Sequence, residues 1–192
     1  AWIEKIQQLP EQVAQLVNGL SAEQMTTHFI EHEWTVAQNV HHLCDSHLNS
    51  YIRCKLMLTE DNPPLKPYDQ DAWAALPDAS GADVDASLEL LAGLHTRWVK
   101  FWQNLPEDAW SRVGLHPEGG PVTLADQLRI YADHGEGHLC QIGNTLAAQP
   151  LDMVQRNLTK TRLLSMALSS RVYFAELWTR LSEAQFLEPN VE

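Results

Sequence analysis

Apolar residues recur along most of this chain at intervals of three and four, and no segment alternates convincingly with period two. That pattern predicts helices nearly throughout. A first helix is expected over Trp2–Val17, with Ile3, Ile6, Leu9, Val13, Leu16 and Val17 on its buried side, Pro10 interrupting it and Gly19 stopping it. Ser21 caps a short turn through Met25. A second helix begins behind Thr35, a good N-cap, and runs to about Leu58. The next twenty residues, TEDNPPLKPYDQDAWAALPD, hold four of the ten prolines, so they form a long structured connection rather than more helix. Long loops of this kind often serve function. A third helix spans about 84–105 and ends at Pro106, HPEGGPV forms a turn, and Thr123 with Asp126 caps a fourth helix that runs to about Ala148. Four helices with one long crossover predict an all-α four-helix bundle.

The last forty residues stand apart. Residues 174–186 (FAELWTRLSEAQF) align with residues 13–25 (VAQLVNGLSAEQM), sharing Ala, Leu, Leu, Ser and Gln in register. The segment 149–192 therefore reads as a C-terminal extension with a helix over about 158–186, either the start of a second repeat or a fifth helix ended by a Leu-Ser turn.

Composition narrows the class. With 44% hydrophobic and 20% charged residues, and no apolar run long enough to cross a bilayer, a soluble protein with no membrane partner is expected. The N-terminal AWIEKIQQLP lacks the basic start and apolar core of a signal peptide. A net charge of −12 argues against a nucleic-acid partner, since phosphate binding needs clustered Lys and Arg. Three scattered cysteines without a CxxC fit a reducing, cytoplasmic setting.

The candidate chemistry lies in DHGEGHLCQIG, residues 133–143. Two histidines stand four apart beside Gly135 and Gly137, each of which costs a helix roughly 0.8–1 kcal/mol relative to alanine. The glycines are expected to leave room for a neighbouring helix or a substrate path. On this fourth helix Gln127, Tyr131, His134, His138, Gln141 and Thr145 share one face. On the second helix Gln38, His42, Asp45 and Asn49 do the same. Buried imidazoles need partners, and a metal ion serves two or three at once. His42, His134 and His138 would make a three-histidine site with a position left for water or substrate, although an i, i+4 pair alone also suits a solvated face. Cys44 and Cys140 point about 200° away from the histidines two residues before them and read as small core residues.

Three stretches carry a resemblance to a known family: 34–76 (WTVAQNVHHLCDSHLNSYIRCKLMLTEDNPPLKPYDQDAWAAL), 94–98 (LHTRW) and 116–142 (HPEGGPVTLADQLRIYADHGEGHLCQI). In collinear order over about residues 1–148 the chain resembles the YfiT branch of the DinB superfamily, described as metal-dependent hydrolases and related to bacillithiol S-transferases. The resemblance implies an up-down-down-up bundle, a common tendency to form homodimers, and a nickel or zinc ion held by one histidine of the second helix and the H-x-x-x-H pair of the fourth. These are His42, His134 and His138. His41, about 100° around the helix from His42, competes for the first place, and the alignment favours His42. Where relatives often carry further histidines, this chain has Glu136 and Gly137.

Two enzyme readings follow for a small-molecule substrate. The ion activates either a water for hydrolysis or a low-molecular-weight thiol for S-transfer, with Asp45 or His47 managing the proton. Asp45 equally fits an acid that orients a histidine. Trp34, Tyr68 and Trp73 wall the pocket or simply pack, and His95 with Trp98 reads as core. A non-catalytic, metal-stabilised stress or interaction module is the alternative of a different class.

Overall fold

The structure, a computed structural model, describes residues 1–150 and 157–163. Its body is four long helices, α1 (Trp2–Val17), α3 (Val36–Thr59), α5 (Asp85–Gln103) and α6 (Leu124–Ala147). Two one-turn helices, α2 (Ala22–Thr26) and α4 (Gln70–Ala74), lie in the connections. Three starts are fixed by local chemistry. Ser21, Thr35 and Thr123 each accept a hydrogen bond from the backbone N–H three residues on, while the side chains of Gln24, Gln38 and Asp126 accept from the cap's own N–H. Beyond α1 the chain turns through Gly19 at φ +78°, a conformation that L side chains rarely adopt.

Side-chain contacts set the helix directions. Asn39 meets His138, His47 meets His134 and Ser50 meets Gln127, so α3 and α6 are antiparallel. His41 meets Ser87 and His47 meets His95, so α3 and α5 run the same way. Lys5 meets Asp133 and Glu136, and Gln24 beyond α1 meets Gln149 beyond α6, so α1 and α6 are parallel. The order is up-down-down-up. Because α3 and α5 are parallel, their connection must travel the length of the bundle, which is what the proline-rich crossover does.

The core divides into two apolar clusters. One gathers Leu9, Val13, Leu16, Val40, Leu43, Leu91, Leu139, Ile142 and Leu146; the other gathers Ile6, Cys54, Met57, Trp98, Trp102, Leu124 and Leu128. His47 on α3 and His134 and His138 on α6 fall between the two clusters, with His42 at the edge of the first and His95 at the edge of the second.

Two local expectations are corrected. Pro10 lies inside α1 without ending it. HPEGGPV is more than a turn: β1 (Val113–His116) and β2 (Gly120–Thr123) form an antiparallel hairpin pairing Val113 with Thr123 and His116 with Gly120. The hairpin grips the crossover, since Leu65 N–H donates to the Leu115 carbonyl and Leu115 N–H to that of Pro63, both at 2.9 Å. A side chain on Gly114 would collide with Leu65, its Cβ coming within 2.8 Å.

Residues 157–163 are helical, with Leu163 buried in the first cluster and Arg162 donating to the Asn18 carbonyl. The remainder of the expected 158–186 helix, and residues 174–186 that echo the first helix, lie outside the described residues. Among the described residues no helix is long and apolar enough to cross a membrane.

Candidate metal centre

α3 carries His42 inward, and α6 carries His134 and His138 one turn apart on the facing side. One ring nitrogen from each lies within 4.8 Å of the others. His134 Nε2 stands 3.3 Å from His42 Nε2 and 3.2 Å from His138 Nε2. A tetrahedral zinc bound at about 2.0–2.1 Å keeps its nitrogen ligands roughly 3.3 Å apart, so the spacing fits a divalent ion. The donor chemistry fits too. His138 Nδ1 donates to Asn39 Oδ1 at 2.8 Å, and the Asn39 amide is oriented by its own donation to the Thr35 carbonyl at 2.9 Å. His138 therefore presents a bare Nε2 lone pair to the cluster.

Burial keeps these rings neutral, the form in which imidazole binds a metal. It pushes His42 down to about 4 against the pull of the Asp71 carboxylate. It pushes His134 to about 3, with the His42 charge adding to the effect. His138 falls to about 2, through burial first and then the His134 and His42 charges. Trp34 covers the cluster, its ring centroid 4.6 Å from that of His42 and 6.1 Å from that of His138.

The rival ligand, His41, turns to α5 instead. Its Nε2 donates to the Gly81 carbonyl at 3.1 Å, and its Nδ1 accepts from Ser87 Oγ at 2.8 Å. Of the two expected proton carriers, His47 is the one the fold brings to the cluster: its Nε2 lies 3.2 Å from His134 Nδ1 and its Nδ1 lies 2.9 Å from His95 Nε2. Asp45 is half-buried, and its charged neighbours are Asp78 and His41; burial foremost, then Asp78, raises its pKa while His41 opposes. Sequence reasoning passed over two residues. Asp71, on α4, is the carboxylate whose charge reaches His42, and the Trp34 indole N–H holds it at 3.0 Å. His95, read as core, is fully engaged in a histidine array. Its one sequence signal was a buried-side histidine on α5 at the level of His47, which means nothing until the helices are paired.

The departure at Glu136 has a structural use. Glu136 faces α1, where its buried carboxylate accepts from Lys5 Nζ at 2.7 Å, with Asp133 3.5 Å from the same ammonium. Cys44 and Cys140 are absent from the cluster, as expected, and burial raises both thiols, Cys44 to about 11.

Residues 5–142 match the family model described as the DinB superfamily. The chain belongs to the DinB superfamily. A relative from Bacillus mycoides, named "Putative metal-dependent hydrolase", is 44% identical over 141 residues, covering 73% of this chain and 81% of the relative. One of the same name from Oceanobacillus iheyensis is 42% identical over the same coverage. Among solved structures, YfiT from Bacillus subtilis is similar at 39% identity and a TM-score of 0.72, covering 75% of this chain and 83% of that one. YfiT is described as "a probable metal-dependent hydrolase with an unusual four-helix bundle topology". The up-down-down-up order of this DinB superfamily chain, with its parallel α3 and α5, departs from simple up-and-down bundles in the same spirit.

Proposed function

We propose that this DinB superfamily chain is a metal-dependent enzyme in which His42, His134 and His138 hold one divalent ion, zinc or nickel, facing a small-molecule substrate. The observation that carries this reading is the convergence of three Nε2 atoms from two helices, two of the separations being 3.2 and 3.3 Å. Such an ion supplies Lewis-acid chemistry, polarising an electrophile and lowering the pKa of a water or thiol brought to it. Three neutral imidazoles leave the site's positive charge uncompensated, which favours an anionic nucleophile. That supports a low-molecular-weight thiol in S-transfer as well as water in hydrolysis, and the names of the relatives support hydrolysis.

The chain's own groups then handle the proton and the pocket. We assign proton transfer to Asp71, whose charge reaches His42, in preference to Asp45, whose neighbours are Asp78 and His41. His47 has both ring nitrogens engaged by other histidines, which suits it to hold a ligand rather than to meet substrate. Trp34 closes one side of the site, while Tyr68 and Trp73, 4.3 Å apart by ring centroids, stiffen the crossover that carries Asp71. A cytoplasmic homodimer with no nucleic-acid partner completes the reading, the last supported by the net charge of −12.

The test is metal analysis followed by turnover. Purified protein is expected to hold one divalent ion per chain, lost in His42→Ala, and to turn over either an ester and amide panel or a thiol with a model electrophile. Asp71→Asn should keep the ion and lower kcat by about 10²–10⁴-fold, the usual share of a proton-transfer group, with Asp45→Asn well above it. No stoichiometric ion in the wild type would sink the proposal. A bound ion without any rate above background would favour a non-catalytic, metal-stabilised module.

A further inference from the structure

The proton positions along the buried histidines can be assigned starting from α1. Pro10 has no N–H, so the Ile6 carbonyl four residues before it lacks its intrahelical partner. That carbonyl meets Nδ1 of His95 instead. A carbonyl only accepts, so His95 carries its proton on Nδ1, and its Nε2 is an acceptor. His47 Nδ1, 2.9 Å from that acceptor, must then donate to it, which leaves His47 Nε2 as an acceptor in turn. His134 Nδ1, 3.2 Å away, donates to His47. The sequence of donors ends with His134 Nε2 bare, facing His42 and His138.

We infer that His47 and His95 are positioning residues for the metal centre: anchored on the Ile6 carbonyl that Pro10 sets free, they hold His134 as its Nδ1–H tautomer and aim its Nε2 at the ion. This rests on the metal-dependent reading above. Metal-binding histidines commonly donate their second nitrogen to a carboxylate or carbonyl, which fixes ring orientation and raises ligand basicity. His138 achieves this with Asn39. His134 reaches the same end through two more imidazoles and a backbone carbonyl on a different helix.

The surroundings make the order rigid. His47 is 0% and His95 2% exposed, so water does not compete for their nitrogens. Trp98 stands edge-on to both rings, at 5.6 and 5.9 Å between centroids, and Tyr131 edge-on to His47 at 5.2 Å. Filling that level with apolar side chains would avoid the desolvation cost of two imidazoles. Every ring nitrogen of the pair is nonetheless used, and used in one direction.

Two measurements test this. Long-range ¹H–¹⁵N spectra of the chelator-treated, histidine-labelled wild type should show His47, His95 and His134 as Nδ1–H tautomers; an Nε2–H form at any of the three overturns the inference. In the second, zinc affinity is read by chelator competition. His95→Phe keeps a ring but removes both nitrogens, and should weaken zinc by about 10–100-fold while the metal-free protein keeps its helix content. His95→Gln retains a donor and an acceptor and should recover most of that loss. Wild-type affinity in a folded His95→Phe protein overturns the inference. If that variant does not fold, the wild-type spectra decide. If the wild type takes up no ion, the metal-dependent reading fails by itself, and the spectra still judge the tautomer order.

Discussion

Adjacent histidines on α3 have opposite employment, and the difference is one of helical phase. His42 faces α6 and the cluster, while His41, about 100° further round, bonds the Gly81 carbonyl and Ser87 from α5. Replacing His42 by alanine should abolish stoichiometric metal binding. His41→Ala should leave metal content intact and cost about 1–3 kcal/mol of stability, because two part-buried hydrogen bonds, each contributing about 0.5–1.5 kcal/mol, are lost. Equal metal loss in both variants, measured by elemental analysis beside urea denaturation, would contradict this division. At this scale the three clustered histidines were legible, since the spacing of His134 and His138 and the polar line through His42 are properties of single helices. His47 could be nominated only as a neighbour. His95 and Asp71 were out of reach, because a residue on α5 or on the crossover becomes part of a site only when another helix is laid beside it.

Between elements, the two glycines of α6 part company. Gly135 lies against α1, where an added Cβ would come within 2.7 Å of Leu9 Cδ2. Leu9 is buried and part of the first core cluster, so it has little freedom to retreat. Gly137 has nothing within 4 Å. Room for a neighbouring helix is therefore needed at Gly135 alone. Gly137→Ala should stabilise by about 0.5–1 kcal/mol through helix propensity. Gly135→Ala should cost about 1 kcal/mol net, overpacking of roughly 1–3 kcal/mol outweighing the same propensity gain. Thermal melts of the two variants check the contrast; equal gains would mean that α1 yields freely. The helix starts at Thr35 and Thr123 were readable because a capping box is made within four consecutive residues. The hairpin was not, since two four-residue strands around a glycine turn show too few alternations, and Leu115 also pairs with the distant crossover.

The whole molecule places a layer of neutral histidines between two apolar clusters, and this has a thermodynamic consequence. Five of the nine histidines, His42, His47, His95, His134 and His138, form one array, and burial lowers the pKa of each. In the unfolded chain a histidine titrates near 6.5. Below about pH 6.5 the unfolded chain therefore takes up protons that the fold does not, and stability falls with falling pH until the folded groups titrate, at about 4 for His42 and His95 and about 3 for His134. Each ring removes up to about 1.4 kcal/mol per pH unit in that window. The urea midpoint of chelator-treated protein should fall steeply from pH 7.5 to 5, and less steeply in His95→Gln. A flat profile would show that the rings are open to water.

What the sequence by itself determined follows from chemistry within one segment: the helical periods, the caps, the proline-rich crossover, and the pair of imidazoles one turn apart on α6. The family resemblance favoured His42 over His41 and added the order of the helices. Only the tertiary structure decided that His95 and His47 stand behind His134, that Asp71 is held by the Trp34 indole whose ring lies against His42, and that Pro10 frees a carbonyl which a histidine of another helix takes up. Those relations depend on the phase and level at which separate helices meet, and packing sets both through contacts such as Leu9 against Gly135 that no local pattern records.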